Sequence, residues 1–448
     1  MSADRLRSLR CRFLHFLLPL LLVMAAPPLA AQGTAPERLA LVGGMLLDGY
    51  EVPPLHDAAV LVEGNRIVAV GRESEIEIPP GTRVIDTNGM TMLPGLVDLH
   101  VHLMILGHGE YNDWFPIFEE RMHEVMAISA RQLLDAGVTT AVDLGAPLEI
   151  LDTRDAIRAG RIPGPRLLVS GPWVTRFTGS WPTFFQYRIT SPAEAARRTQ
   201  ELVDRGVDVI KTWAGMSEAD IRAVVEVAHR NGLPVHSHVY APEAIRAAMA
   251  AGADVLQHAG SGGNPAYPEE LVMEIAHRGI PVVQTIAHRI WVYPATERFP
   301  ERLDHPRYRA YFPEDLYAEI KSSFKDFHRL SYFRTTPRQI RNSEVAARQF
   351  IEAGAVLAMG TDSGSPLNFH TESAWREIEA LVDSGMTPLQ AISISTLGGA
   401  RVLRLGDQIG TIEPGKYADI LVVDGDPLTD IRDLGRVVYV VKDGVIHK

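Results

Sequence analysis

An apolar run that begins at residue 95 ends in two closely spaced histidines, in the order Asp98-Leu99-His100-Val101-His102. In a β-strand, side chains two residues apart point to the same face of the sheet. Both imidazoles would therefore lie on one side of the strand, where they could chelate a single metal ion. By itself the pair is equally compatible with a purely structural role.

Further strand-like runs follow this one and alternate with helical segments, which is the pattern of a parallel sheet with crossover helices. Helix starts are well marked: Ser191 to Glu194 form a capping box with proline at the first helical position, and Ser217 precedes a helix over residues 218–230. Eight runs can be counted, at residues 95–103, 139–144, 166–170, 207–213, 234–239, 255–258, 281–286 and 356–361. Eight in series predict an α/β fold of the (β/α)8 TIM-barrel type, and an open doubly wound sheet is the alternative.

Short strands separated by turns also occupy two separated stretches, residues 39–92 and 418–447. Gly64-Asn65 and Asp443-Gly444 are typical hairpin turns within them. Neither stretch alone has enough strands for a stable sheet. We therefore predict a small composite β-sandwich, formed by residues 32–92 and 408–448, beside a barrel over residues 93–407.

Residues 1–31 have the order of a secretory signal, which is a basic start, an apolar centre and small residues before a cleavage site. Four arginines precede an apolar run over residues 13–26, and Leu29-Ala30-Ala31 follow it. The run is too short to favour a stable membrane span. We predict an exported protein, periplasmic or secreted, with an uncleaved N-terminal anchor as the alternative.

Charge and cysteine content restrict the partners of the remaining chain. Residues 1–31 contain four arginines and Asp4, so the remainder has 40 basic and 54 acidic residues and a formal net charge of −14. This balance argues against nucleic acid and anionic membrane surfaces as partners. The single cysteine, Cys11, lies within the signal, which excludes disulfides and thiolate metal sites from the mature protein. A small-molecule substrate is expected, and a homo-oligomer is compatible with the sequence.

Four other polar residues stand at the ends of predicted strands. Lys211, His238, His258 and Asp362 lie at or beside the ends of the fourth, fifth, sixth and eighth runs. In a TIM barrel the carboxyl ends of all strands meet at one rim, where catalytic groups lie. Five strands that each present a metal-competent or charged residue there predict one site that includes His100 and His102.

Lys211 needs a chemical explanation, because an ammonium group repels a metal ion. Carbamylation by carbon dioxide would convert its amine into an anionic carbamate whose two oxygens can bridge two metal ions. The apolar neighbours Val209 and Ile210 would favour the neutral amine that this reaction requires. A Schiff-base lysine of a lyase is the competing interpretation, but it leaves four histidines and Asp362 without a role.

Taken together, these residues resemble the binuclear metal signature of the amidohydrolase superfamily. The likeness extends to residues 91–98, 137–140, 410–412 and 415–419, and within the superfamily it is similar to the branch with metal-dependent Xaa-Pro dipeptidases and imidazolonepropionases. The resemblance implies that two divalent ions share a hydroxide and carbamylated Lys211. It implies that His100, His102 and Asp362 hold one ion and that His238 and His258 hold the other. Nitrogen and oxygen ligands suit Zn²⁺ best, although manganese or cobalt would also fit.

Two further assignments follow the same resemblance. His236 faces the same side as His238, but the spacing from His238 to His258 is similar to that of the dipeptidase branch, so His238 is preferred and His236 is expected to be a hydrogen-bonded core residue. Tyr240 would donate its phenol to the oxyanion of a tetrahedral intermediate, or else only pack at the rim.

The implied reaction is amide hydrolysis by the metal-bridging hydroxide, with Asp362 passing its proton to the leaving group. The expected substrate is a dipeptide of the Xaa-Pro kind or an N-acyl amino acid. A lactone, a cyclic amide or a xenobiotic ester or amide remains an alternative on the same site, as does a metal-binding scaffold without activity. A dipeptidase must also hold a free carboxylate, and Arg289, just beyond the seventh strand, is the candidate, with His288 as a helper. Its alternative role is an ion pair within the segment that follows.

That segment, residues 288–341, is far longer than an ordinary connection and is rich in aromatic residues and arginines. Because it follows the seventh strand, we expect it to overhang the mouth of the barrel as a lid. The alternative is a surface subdomain that packs its own aromatic side chains.

Overall fold

The computed structural model describes residues 37–177, 179, 182–260, 266–326 and 331–448. The predicted export signal, residues 1–31, lies outside the described residues. No helix in the described part of the chain combines the length and the apolar character that crossing a bilayer requires.

Strands occur in three groups along the chain. The first group is β1 (Arg38–Leu46), β2 (Leu55–Glu63), β3 (Arg66–Arg72), β4 (Arg83–Asp86) and β5 (Met90–Pro94). The second is β6 (Leu96–Val101), β7 (Val138–Asp143), β8 (Arg166–Val169), β9 (Trp173–Thr175), β10 (Gln186–Arg188), β11 (Ile210–Thr212), β12 (Val235–His238), β13 (Val255–Gln257), β14 (Val282–Val283) and β15 (Leu357–Ala358). The third is β16 (Ile420–Asp424), β17 (Val437–Lys442) and β18 (Val445–Ile446).

The first and third groups form one eight-stranded sheet, in the order β18-β17-β16-β5-β1-β2-β3, with β4 also paired to β1. β5 pairs antiparallel with β16 and parallel with β1, so it joins strands from the two parts of the chain. Both predicted hairpins are present, β2 with β3 and β17 with β18. The composite β-rich domain is therefore confirmed, and β5 extends two residues past the predicted division after residue 92.

The barrel consists of eight parallel strands, β6, β7, β8 and β11 to β15. Strand pairing groups them into two sheets, β6-β7-β8 and β10-β9-β11-β12-β13-β14-β15, and backbone hydrogen bonds join the two sheets on both sides. Asp208 N–H donates to the Val169 carbonyl at 2.9 Å, which links β8 to the start of β11. Leu99 N–H donates to the Met359 carbonyl at 3.0 Å, which links β6 to the end of β15. The predicted (β/α)8 barrel is thereby confirmed, and β9 and β10 are an excursion between its third and fourth strands.

Helices cover the barrel and fill the long segment after β14. The α-helices are α1 (Tyr111–Phe118), α2 (Met122–Asp135), α3 (Ile150–Arg158), α4 (Pro192–Arg205), α5 (Glu218–Arg230), α6 (Pro242–Ala251), α7 (Glu269–Arg278), α8 (Tyr293–Arg298), α9 (Pro306–Arg309), α10 (Glu314–Ser323), α11 (Ser331–Glu352), α12 (Ser373–Asp383), α13 (Pro388–Ser393) and α14 (Gly399–Val402). Single π-helical turns occur at His288–Val292 and Ile394–Gly398.

Local signals in the sequence explain where two of the barrel helices begin. At α5, Ser217 and Asp220 form a reciprocal capping box. At α4, the Ser191 side chain accepts from Glu194 N–H as predicted, but the Glu194 carboxylate accepts from the N–H and hydroxyl of Thr190 rather than from Ser191. The helix starts are thus encoded locally, and the barrel they surround brings the strand ends together.

Candidate metal centre

Three predicted ligands meet at the junction of the first and eighth barrel strands. His100 lies in β6, His102 just after it, and Asp362 follows β15 by four residues. One ligand atom from each lies within 4.8 Å of the others. Asp362 Oδ1 is 3.3 Å from His102 Nε2 and 3.8 Å from His100 Nε2. One side of the pocket therefore presents two imidazole nitrogens and a carboxylate to a common point.

Hydrogen bonds from the protein hold both imidazoles in place. His100 Nδ1 lies 2.7 Å from Gln257 Oε1, and His102 Nδ1 lies 3.3 Å from the Gly145 carbonyl. Because each Nδ1 faces an oxygen acceptor, it carries the proton, and Nε2 of each ring keeps its lone pair for a metal. Hydrogen bonds of this kind, from Nδ1 to an oxygen of the protein, orient the histidines of metal sites.

Asp98 ties the first strand to the eighth directly beneath these ligands. Its carboxylate accepts from His100 N–H at 3.0 Å, from Thr361 N–H at 3.1 Å and from the Thr361 hydroxyl at 2.7 Å. Burial raises the pKa of Asp98 to about 7 despite these bonds. Asp98 thus binds both the backbone of His100 and the residue before Asp362, and these bonds fix the position of Asp362 relative to His100.

The other two predicted histidines lie across the pocket from Asp362. His238 is the last residue of β12 and His258 follows β13. The His258 ring centroid is 4.3 Å from that of His100 and 4.5 Å from that of His238. His258 has a left-handed backbone, with φ 68°, and Asp362 does as well, with φ 56°. Such strain in residues other than glycine costs about 1–3 kcal/mol each and is characteristic of functional sites.

His236 lies apart from this group, as a core residue. Its Nδ1 accepts from Gln257 Nε2 at 2.9 Å, and Gln257 in turn binds His100. Burial lowers the pKa of His236 to about 3, so the ring is neutral. The hydrogen-bonded environment agrees with the sequence-based expectation for His236.

Lys211 lies in the middle of β11, and only 1% of its surface is exposed. Among the described residues its Nζ has no hydrogen-bond partner, and the same holds for His238 Nδ1. Burial lowers the pKa of Lys211 to about 7. A buried amine without a partner costs free energy unless another group occupies the space in front of it. The donor set therefore fits divalent ions, and two of its atoms, Lys211 Nζ and His238 Nδ1, have no partner in the part of the chain that the structure describes.

Three of the histidine rings lie around the Asp362 carboxylate in a buried environment. Burial lowers the pKa of His100, His238 and His258 well below the usual value. Burial alone would raise the pKa of Asp362, but contacts with His102 and with His288 hold it well below 3.8. Near neutral pH, His100, His238 and His258 are thus neutral and Asp362 is ionised, a combination that suits a bound cation.

Arg289 and Tyr240 meet on the side of the pocket beyond His238 and His258. Arg289 Nη2 donates to the Tyr240 hydroxyl at 3.3 Å, and Arg289 Nη1 lies 4.0 Å from Asp362 Oδ2. Burial raises the pKa of Tyr240, which keeps its phenol protonated. His288 Nδ1 lies 3.4 Å from Asp362 Oδ2, so His288 is also at the site. Arg289 faces the candidate metal ligands instead of pairing with a carboxylate of its own segment.

Glu377 fixes the turn that carries His288 and Arg289. It lies on α12 and is fully buried, and its carboxylate accepts from the N–H groups of Ile286 at 2.9 Å and Ala287 at 2.8 Å. These N–H groups begin the π-helical turn at His288–Val292, and a carboxylate satisfies such free N–H groups well. Nothing in the sequence near Glu377 points to this role, since its partners lie 90 residues earlier.

Aromatic side chains complete the wall of the cavity over these residues. They come from the chain after β6, β8 and β11, and are Tyr111, Phe115, Trp173, Phe185 and Trp213. Trp173 and Trp213 each follow a barrel strand closely, so strand-end position alone would have identified them. Sequence reasoning missed them because it sought only metal-competent residues.

The segment at residues 288–341 differs from the expected lid. Of its described residues, only Arg289 lines the cavity. The side chains of Tyr293, Tyr308, Phe312 and Tyr317 are buried in the large core cluster. The alternative, a subdomain that packs its own aromatic residues, describes this segment better, because those rings face inward from its helices.

Comparisons with known proteins agree with this architecture. A model described as "Amidohydrolase family" matches residues 91–446. The chain is 25% identical to an ochratoxinase of Aspergillus niger, over 96% of this chain and 91% of that protein. It is 26% identical to an imidazolonepropionase of Streptomyces coelicolor, over 83% of this chain and 86% of that protein. A solved Xaa-Pro dipeptidase with methionine bound in its active site superposes with a TM-score of 0.74 at 25% identity, over 92% of this chain and 100% of that one.

Proposed function

The chain belongs to the amidohydrolase family, and from that premise we propose that it is a metal-dependent hydrolase of the amide bond in a dipeptide of the Xaa-Pro kind or in an N-acyl amino acid. The observation that carries the proposal is a single cavity lined by the cluster of His100, His102 and Asp362, by buried Arg289, and by Lys211 and His238, whose buried Nζ and Nδ1 have no hydrogen-bond partner among the described residues. Family membership also argues against the alternative of a Schiff-base lyase that uses Lys211.

Two divalent ions fit the residues of this cavity. His100, His102 and Asp362 would hold one ion, and His238 and His258 the other, with Lys211 shared between them as its carbamate. To form the carbamate, the neutral Lys211 amine attacks carbon dioxide, an N–C bond forms and one proton is released. The lowered pKa of Lys211 supports this step, because it supplies neutral amine near pH 7. When bound, such ions lower the pKa of a coordinated water and polarise the scissile carbonyl; Zn²⁺ suits these ligands best.

Three side chains of the cavity have the remaining roles in the proposed reaction. Ionised Asp362 accepts the proton from the attacking water and passes it to the departing nitrogen. Tyr240, neutral because burial raises its pKa, donates its phenolic hydrogen to the carbonyl oxygen as negative charge develops there. Arg289 binds the substrate carboxylate through two parallel N–H groups, which fixes orientation as well as charge.

Replacement of Arg289 by methionine tests the substrate assignment. Purified protein should contain close to two divalent ions per chain by mass spectrometry, and a chelator should abolish hydrolysis reversibly. Arg289→Met should lower kcat/KM for N-acyl amino acids and dipeptides by about thirtyfold or more, because a buried charge pair is lost. The matched C-terminal amides should change far less.

Arg298→Met is the control, since Arg298 is an exposed residue of the same segment. An equal loss on acids and amides, or a wild-type preference for lactones or esters without a carboxylate, would refute the dipeptide and N-acyl amino acid assignment and leave a metal-dependent hydrolase of another substrate.

A further inference from the structure

The cavity has two chemically unlike ends. Arg289 follows β14, the seventh strand of the barrel, whereas Trp173 and Phe185 follow β8, the third strand. In a ring of eight strands the third and the seventh are opposite each other, so the cationic end and the aromatic end face each other across the mouth. The candidate metal ligands come from other strands and lie between the two ends.

A hydrogen bond and close ring contacts hold the aromatic end in place. The Trp173 indole N–H donates to the Leu144 carbonyl, and its ring lies against Gly145, where a Cβ would come within 1.8 Å of Nε1. Trp173 stacks on Trp213 at 4.7 Å and 20°, and meets Phe185 edge-on at 5.2 Å and 86°. A wall locked in this way binds a flat apolar group without the loss of side-chain freedom that usually opposes binding.

This wall lies directly beside the ligand candidates. The Trp173 centroid is 5.9 Å from the ring of His102, and the Trp213 centroid is 5.4 Å from that of His238. A group that packs on the wall is therefore close to a carbonyl held beside these histidines. When the carboxylate of the departing amino acid is at Arg289, the group on the wall belongs to the acyl half of the substrate.

The charges of the residues that line the cavity favour a neutral acyl group over one that carries an ammonium group. Among the described residues that line the cavity, Asp362 is the only carboxylate, and the proposed reaction uses it for proton transfer. A dipeptide would bring a free α-ammonium toward the aromatic wall, where no carboxylate among those residues compensates for its lost hydration. A neutral acyl group has no such penalty.

We propose that the substrates are amino acids whose nitrogen carries a neutral aromatic acyl group, and that free dipeptides are poor substrates. This inference rests on the proposed function and specifies its substrate class. Water adds across the amide, the C–N bond breaks, and the products are an arylalkanoic or aromatic carboxylic acid and a free amino acid.

A matched set of three substrates tests the inference on the metal-loaded enzyme. N-(3-phenylpropanoyl)-L-proline and L-phenylalanyl-L-proline differ only in the α-ammonium, and N-acetyl-L-proline lacks the ring. We expect kcat/KM for the phenylpropanoyl compound to exceed that of each of the others by about tenfold or more, because the acetyl compound has no ring to bury and the dipeptide must desolvate its ammonium group. The series should be repeated with L-leucine in place of proline.

Each other outcome has a distinct meaning. If N-acetyl-L-proline or the dipeptide is hydrolysed as well as the phenylpropanoyl compound, the aromatic-acyl inference is wrong while the proposed amide hydrolysis stands. If none of the compounds is hydrolysed in either series, the proposed function itself fails.

Trp213→Leu provides an independent readout. It should reduce the ratio of kcat/KM for the phenylpropanoyl substrate to that for the acetyl substrate by about tenfold. Phe299→Leu, which changes an exposed ring outside the cavity, should leave this ratio as in the wild type. An unchanged ratio in Trp213→Leu would overturn the inference, because a merely structural tryptophan affects both substrates equally.

Discussion

The two halves of the candidate ligand set differ in how the protein holds them. On one side, His100 and His102 each have a hydrogen-bond acceptor for Nδ1, and both lie within 4 Å of Asp362. On the other side, Lys211 Nζ and His238 Nδ1 are buried without a hydrogen-bond partner in the described part of the chain. His258 is intermediate, since its Nδ1 is paired with the Thr285 hydroxyl at 2.9 Å.

This difference indicates which part of the site is built in advance and which part depends on what binds. An unsatisfied buried polar group costs about 1–3 kcal/mol, whereas a satisfied one costs little. The half with His100, His102 and Asp362 is thus stable as folded. On the proposed function, the half with Lys211 and His238 would gain free energy when a carbamate or a metal ion pairs with these atoms.

Replacement of Lys211 should have the largest effect on metal content and activity. In Lys211→Ala we expect bound metal to fall from about two ions per chain to one or fewer, and kcat/KM to fall by about a thousandfold or more, since bridging supplies several kcal/mol. Acetate or propionate should restore part of the activity by filling the space of the carbamate. Lys321→Ala, which changes an exposed lysine, is the control. Wild-type metal content and activity in Lys211→Ala would show that the lysine is not a ligand.

Replacement of the two histidines of β12 should change metal affinity to different extents, with a smaller effect than the loss of Lys211. His238→Asn should weaken metal binding at least about tenfold more than His236→Asn, because a ligand nitrogen is lost in one variant and a hydrogen bond to Gln257 in the other. Competition with a chromogenic chelator measures both affinities. The reverse order would mean that His236 is the ligand, and equal losses would also contradict the choice of His238.

The pH dependence of stability should give the smallest effect. His236 has a folded-state pKa of about 3 and an unfolded value near 6.5, so between these values the unfolded chain binds a proton that the folded chain does not. Stability therefore falls as the pH is lowered from about 6.5 toward about 3. In chelator-treated protein, urea unfolding at pH 7 and pH 4.5 should show a smaller fall for His236→Asn than for the wild type. The surface variant His277→Asn should behave like the wild type, and parallel curves for all three proteins would contradict the buried, neutral state of His236.

Much of the fold was predictable because its signals are local. The eight barrel strands, both hairpins and the composite sheet follow from runs of apolar residues and turn residues such as Asp443-Gly444. The positions of Lys211, His238 and Asp362 at one rim follow from the rule that the strands of a barrel are parallel. The segment at residues 288–341 was less predictable, because its composition does not say whether Tyr293 or Tyr308 faces the mouth or the core.

The sequence by itself determined which residues stand at the ends of strands, since strand periodicity and parallel order depend on near neighbours in the chain. Only the tertiary structure decided what supports them. Gln257 connects His100 to His236, Glu377 fixes the turn before Arg289, and Trp173 lies against Gly145. Each of these contacts joins residues more than 20 positions apart. They exist only because the ring of strands closes and the helices pack on it, and no local pattern specifies where that closure brings two distant side chains together.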